Sequence, residues 1–264
     1  MDGIIQAVLV VGITGLIFGI ILSIASVIFA VKKDERIDLI EDALPGANCG
    51  ACGFAGCSAY AGEIVNNGAA INLCSVGKSP VAKRISEIMG ADAGEVEEKV
   101  AKVMCGGTCS LAEDKYIYEG VSDCRVAVRL GGGAKVCKYG CLGLGTCIEA
   151  CHFDAIKIID GVAVIDEEKC TGCGKCKEIC PKNAIKIAPK NASIYALCSN
   201  KDKGPEVNKY CKVSCIGCKI CEKNCPNGAV AVVDNLAVID YGKCTGCGVC
   251  AEKCPKKVIK IKNG

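Results

Sequence analysis

The run Cys170-Thr-Gly-Cys173-Gly-Lys-Cys176-Lys-Glu-Ile-Cys180-Pro181 returns 74 residues later as Cys244-Thr-Gly-Cys247-Gly-Val-Cys250-Ala-Glu-Lys-Cys254-Pro255. Internal repetition at a fixed offset marks a duplicated structural unit, and closely spaced thiols wrap the backbone around whatever they bind. A second cysteine group precedes each run. In the later copy it is Cys215-x2-Cys218-x2-Cys221-x3-Cys225-Pro226. In the earlier copy Cys141, Cys147 and Cys151 stand at the same offset, but Leu144 occupies the place of Cys218. Ala163-Val-Ile-Asp166 matches Ala237-Val-Ile-Asp240, and short apolar stretches such as Ala155-Ile-Lys-Ile158 and Val258-Ile-Lys-Ile261 follow the loops. Each unit reads as two cysteine loops, each followed by a short strand.

Composition says what must hold such a chain together. It has 264 residues, 25 of them cysteine, with no Trp and 4% aromatic residues. Disulfide scaffolds of this density are short secreted chains, and an odd count fits them poorly. An apolar core for about two domains wants more bulk than these side chains supply. Cysteine-bound metal fills the gap, because binding to a site absent from the unfolded chain becomes folding free energy. The formal charge of +3 and the lack of a basic stretch exclude a nucleic-acid module. Disorder and collagen are excluded as well.

The spacing points to [4Fe–4S] cubes. A C-x2-C-x2-C loop offers three thiolates, and the fourth Cys of the run, before Pro, ligates the other cluster of the pair. Cys215, Cys218, Cys221 and Cys254 then hold one cube, and Cys244, Cys247, Cys250 and Cys225 its neighbour. In the first unit Cys170, Cys173, Cys176 and Cys151 hold one by the same logic. Zinc sites use ligand pairs and give no reason for crossed sets of eight cysteines. The remaining cube has Cys141, Cys147 and Cys180 in register, but Leu144 cannot bind iron. Cys137 is expected as the fourth ligand, with a three-iron cluster as the alternative. Cys211 complicates this, being the counterpart of Cys137 where no ligand is missing.

Residues 34–104 form a different module. Cys49-x2-Cys52-x4-Cys57, closed by Cys74, suits one further [4Fe–4S] cluster, with zinc as the alternative. Gly50, Gly53 and Gly56 let the backbone wrap tightly. Ser79-Pro80 reads as a helix N-cap and first position, opening helical spacer to about Met104. Five cysteines remain: Cys105, Cys109, Cys124, Cys198 and Cys211. Four of them suit a sixth cube, with Cys109 as the spare because it shares a turn with Cys105.

The chain is free of charge from Ile4 to Val31. That run spans a hydrocarbon core of about 30 Å at about 1.5 Å per residue. Lys32, Lys33 and Arg36 follow, so the positive-inside bias puts the N-terminus outside and the remainder in the cytoplasm. A cleaved signal peptide would want a basic start and a shorter apolar stretch. Gly15 and Gly19 form a small-xxx-small spacing that admits another membrane helix.

Other signals carry little. Gly131-Gly-Gly133-Ala-Lys135 lacks Walker spacing, and no dinucleotide fingerprint follows Gly143-Leu-Gly145. His152, the only histidine, reads as a loop residue. No nicotinamide or flavin pocket and no catalytic residue is expected. The fold expected is α+β: an anchor at 1–33, an α-rich [4Fe–4S] module at 34–104, a connector at 105–136, and tandem 2[4Fe–4S] ferredoxin modules at 137–190 and 211–264 joined by a linker at 191–210.

A single helix followed by Asn48-Cys-Gly-Ala-Cys-Gly-Phe-Ala-Gly-Cys57 and then ferredoxin modules resembles the RnfB family, the B subunits of the Rnf complexes, in the long form of anaerobes such as clostridia. The resemblance covers essentially the whole chain. It implies a single-pass cell-membrane component of an ion-translocating ferredoxin:NAD⁺ oxidoreductase. That component takes electrons from soluble ferredoxin and passes them to other membrane and peripheral Rnf subunits, coupled to Na⁺ or H⁺ export. A polyferredoxin subunit of a membrane hydrogenase or dehydrogenase is the alternative. Each four-thiolate cube adds about −2, so an acidic ferredoxin needs a local basic patch. Lys169, Lys175, Lys177 and Lys182, or Lys212, Lys219 and Lys223, are the candidates.

Overall fold

The computed structural model describes residues 2–28 and 34–262. Helix α1 (Asp2–Ile28) contains a window, Val8–Ser26, of mean hydropathy 2.7. It is long and apolar enough to cross a membrane. Within that window no described side chain is buried, and Val11, Phe18 and Leu22 are exposed. Thr14 and Ser23 donate to Val10 O (2.7 Å) and Gly19 O (2.8 Å), so both hydroxyls are satisfied within the helix, as an apolar surrounding demands. Lys32 and Lys33, on which the orientation rests, lie outside the described residues. Arg36 is already paired with Asp34 at 2.7 Å.

Three helices make the next unit: α2 (Glu35–Ala43), α3 (Cys57–Asn67) and α4 (Lys78–Met89). Ile37, Ile40, Tyr60, Ala61, Ile64 and Ile85 face one another as its core. Asp34 caps α2 by accepting from Arg36 N. Helix α4 departs from expectation at both ends. It begins at Lys78 behind Gly77, with no capping side chain, and stops well short of Met104. Gly90, left-handed at φ +64°, turns its N–H back to Ser86 O and ends the helix.

The chain then enters β1 (Lys99–Val103), followed by α5 (Cys124–Arg129), α6 (Thr146–Glu149), β2 (Ile156–Ile159), β3 (Val162–Ile165), α7 (Lys175–Ile179) and β4 (Ile185–Pro189). A second set follows: β5 (Ile194–Ala196), α8 (Gly204–Val207), α9 (Ile220–Lys223), β6 (Val230–Val233), β7 (Leu236–Ile239), α10 (Val249–Glu252) and β8 (Ile259–Ile261). All pairing is antiparallel and two-stranded: β1 with β4, β2 with β3, β5 with β8, and β6 with β7.

Strand pairing redraws two of the expected boundaries. Val103 lies opposite Ile185, and Ala196 lies opposite Ile259. Residues 99–103 therefore complete the first ferredoxin unit, and the stretch expected as linker completes the second. Each unit ends on a strand whose backbone groups need a partner, and only the chain upstream can supply it. The connector is likewise built in. Glu113 N donates to Tyr210 O (2.9 Å) and Lys212 N to Leu111 O (2.9 Å), tying it to the second unit. Cys109 N donates to Asp160 O (3.0 Å), tying it to the first.

Candidate cluster sites

In the second unit Cys215, Cys218, Cys221 and Cys254 line one cavity, beside α9 and the paired strands β6 and β7. The partner quartet is gathered around α10. Burial pushes the Cys250 thiol up, and Cys244, Cys225 and Cys247 add to that shift through their own charge. Ala229 N donates to Cys225 Sγ at 3.2 Å. In both, the thiol before Pro lies with the loop of the other run.

In the first unit Cys151, Cys170, Cys173 and Cys176 share a cavity. Strand β1 walls it, with Ala101 N donating to Cys170 Sγ at 3.3 Å. The approach is so close that a Cβ on Gly172 would collide with Lys99 O. Cys141, Cys147 and Cys180 line a separate cavity, and the fourth thiol there is Cys124. Cys137, expected in that place, is elsewhere. Cys124 arrives because Thr146, at the start of α6, accepts from Cys124 N at 2.6 Å and reaches Asp123 at 3.3 Å. Asp123 also caps α5, accepting from Arg125 N. No motif announces this ligand, since a long insertion separates it from the loop it completes.

Cys137 lines a further cavity with Cys105, Cys198 and Cys211, where the two units meet. Cys109 is exposed and stands on none of these four cavities, its sulfur against Gly161. His152 is exposed in the turn after Cys151.

Cys49, Cys52, Cys57 and Cys74 gather beside the three-helix core. Asn48 accepts from Cys57 N at 2.8 Å, and Gly56 is needed because a Cβ there would meet that same Asn48 oxygen at 2.7 Å. Tyr60 holds the loop that carries Cys74. It donates to Ala70 O at 2.7 Å and accepts from Leu73 N at 3.1 Å. Burial pushes its hydroxyl up to about 12.

These sites follow one another through the molecule. Burial raises the Cys173 thiol, and the charge of Cys49 raises it further, so the first module adjoins the Cys151–Cys176 cavity. Cys176, pushed up to about 12 first by burial, also feels Cys147. Cys141, raised by burial, feels Cys105. Cys215 N donates to Cys198 Sγ at 3.4 Å.

The donor sets suit a cube better than a single ion. Among the described residues no three such side chains converge on one point. The thiols instead line the walls of separate, partly open clefts between loop and strand. Burial holds the thiols of Cys147, Cys176 and Cys198 up at about 12, so thiolates there call for a strongly cationic partner. Thr171 Oγ1 is buried on the wall of the Cys170 cavity beside the Cys173 thiol, whose burial it offsets in part.

Family models match three stretches: an Fe-S cluster family over residues 44–76, a 4Fe-4S binding domain over 163–186 and a 4Fe-4S dicluster domain over 214–258. The chain is 47% identical to the B subunit of the Na⁺-translocating ferredoxin:NAD⁺ oxidoreductase complex of Acetobacterium woodii, over 92% of this chain and 73% of that protein. It is 46% identical to the proton-translocating counterpart of Clostridium ljungdahlii, over 91% of this chain and 85% of that one. It is 44% identical to the B subunit of the ion-translocating oxidoreductase complex of Methanosarcina acetivorans, over 98% of both chains.

Proposed function

The chain belongs to the B-subunit family of the ion-translocating ferredoxin:NAD⁺ oxidoreductases, and on that premise we propose that it is the complex's anchored electron conduit. It works with other subunits of that complex. Five quartets hold [4Fe–4S] clusters: Cys49/Cys52/Cys57/Cys74, Cys151/Cys170/Cys173/Cys176, Cys124/Cys141/Cys147/Cys180, Cys215/Cys218/Cys221/Cys254 and Cys225/Cys244/Cys247/Cys250. The observation that carries this is the succession of thiol-lined sites, each adjoining the next. When bound, each cube accepts and releases one electron. The chain's own residues hold the cubes close together, keep water from the buried thiols, and aim main-chain N–H groups at the sulfurs, which favours the reduced state.

Electrons come in from reduced ferredoxin at the second unit. Cys218 and Cys247 are its exposed thiols, and Lys219 and Lys223 are exposed beside α9. An acidic carrier is steered there by charge. Lys182 leaves the set of docking candidates because its ammonium is held by Gly132 O (2.6 Å) and Lys138 O (2.8 Å). Helix α1 spans the cell membrane with the cluster units on the cytoplasmic side. The relatives named for sodium and for protons are equally similar to this chain, so identity does not separate the two ions.

The test uses the complex isolated anaerobically through a tag on this chain. Reduced ferredoxin is expected to drive NAD⁺ reduction, and the assay with and without Na⁺ identifies the ion. An intact, iron-loaded complex that reduces no NAD⁺ overturns the assignment.

A further inference from the structure

Cys105, Cys137, Cys198 and Cys211 lie outside every stretch that the family models match. We infer that they hold a further [4Fe–4S] cluster, a bridge built half from each ferredoxin unit, which joins the clusters of both into one continuous series. This rests on the reading of the other quartets as cube sites.

The duplication explains where the ligands come from. Val103 and Ala196 occupy the same register position, opposite Ile185 and Ile259, and those two are themselves 74 residues apart. Cys105 and Cys198 each stand two residues beyond that position. Cys137 and Cys211 differ by the same 74 residues. Each unit therefore contributes an equivalent pair of thiols, and neither completes the site alone. Cys211, with no missing ligand to replace in its own unit, has its role here.

The surroundings are arranged for an anion. Asn200, 2% exposed, donates its side-chain amide to Cys137 Sγ at 3.2 Å and its main-chain N–H to Cys198 Sγ at 3.4 Å. The same amide donates to Tyr210 OH at 2.9 Å, which in turn donates to Asp202 at 2.7 Å, so its direction is fixed. The pocket wall also includes Lys135, which is 4% exposed. Its ammonium meets two neutral carbonyls, Gly107 O at 2.5 Å and Gly161 O at 3.3 Å. A buried ammonium supported by carbonyls alone is costly and wants an anion beside it. Lys135 lies within electrostatic reach of Cys211 on this cavity and Cys141 on the next. Lys182, held by carbonyls, reaches Cys137 on this cavity, and Cys180 and Cys124 on the next. Two cations thus straddle the junction where two cubes of about −2 each would stand.

The bridge works by a plain exchange. Cys105, Cys137, Cys198 and Cys211 would hold the bridging cube between the two units, and once bound it would supply a one-electron carrier between the second unit and the Cys124/Cys141/Cys147/Cys180 site. No bond forms or breaks, and no proton is required.

The test compares the tagged, anaerobically isolated complex carrying Cys198→Ala with the unaltered one, and with Cys109→Ala as control. Cys198→Ala leaves three thiols and is expected to remove one reduced-cube signal in electron paramagnetic resonance together with about one to four iron atoms per chain, as the cube converts to a three-iron form or is lost, while Cys109→Ala removes neither. Cys105→Ala, in the other unit, is expected to remove the same signal, and it serves where Cys198→Ala fails to accumulate. Iron and signals unchanged in Cys105→Ala, or in Cys198→Ala where that protein forms, overturn the bridge. An unaltered complex without cube signals from the other quartets would instead sink the proposed function itself.

Discussion

The main-chain N–H of Cys215 points at the sulfur of Cys198 from 3.4 Å, so a thiol at the junction of the two units and a thiol of the second unit share one stretch of backbone. Clusters ligated by these residues would interact magnetically when both are reduced. The reduced chain is expected to show resonance lines broadened by spin coupling, and Cys198→Ala is expected to narrow those of the second unit. Lines equally broad in the variant would place the coupling elsewhere.

Cys124 and Cys137 separate by their effects. Cys124→Ala leaves Cys141, Cys147 and Cys180 with three thiols, so that cube is expected to convert to a three-iron form, visible as a new signal in the oxidised protein. Cys137→Ala leaves those three with Cys124 and is expected to give no such signal from that site. The same pair of spectra with the roles exchanged would return Cys137 to the first unit.

Lys135 supplies a fixed positive charge between two anionic sites. Its replacement in Lys135→Met is expected to disfavour the reduced form of both neighbouring cubes about tenfold, a fall of about 59 mV for one electron. Lys135→Arg should keep most of the original potential. A redox titration followed by paramagnetic resonance reads the shift, and the Cys244/Cys247/Cys250/Cys225 cube should not move. Equal potentials in the Met variant would show that the ammonium does not set them.

Tyr60 is a test of the first module's stability. Tyr60→Phe keeps the ring stacked on Phe54, 5.3 Å between centroids, but loses the bonds to Ala70 O and Leu73 N. A loss of about 1–3 kcal/mol is expected, because two part-buried hydrogen bonds at about 0.5–1.5 kcal/mol each are removed. Iron should leave this site first when the variant is challenged with a chelator and urea, and a bleaching rate equal to that of the unaltered protein would argue against the staple.

The crossed quartets of the second unit, the Cys151–Cys176 quartet and the Cys49–Cys74 module were legible in the order of residues. A C-x2-C-x2-C loop is a local object, and the 74-residue offset shows which loop answers which. The long apolar run up to Val31 was legible for the same reason, since hydropathy along one helix needs no tertiary information. What the sequence left open were ligands brought in from far away. By nearness in sequence alone, Cys124 falls with the leftover thiols and Cys137 with the incomplete loop beside it. The tertiary structure decided otherwise through two long-range features. Thr146 pulls Cys124 across the insertion, and the pairing of β1 with β4 and β5 with β8 brings Cys105 and Cys198 to equivalent places. Spacing determines a loop, but only the closure of strands between distant segments determines which loops face each other.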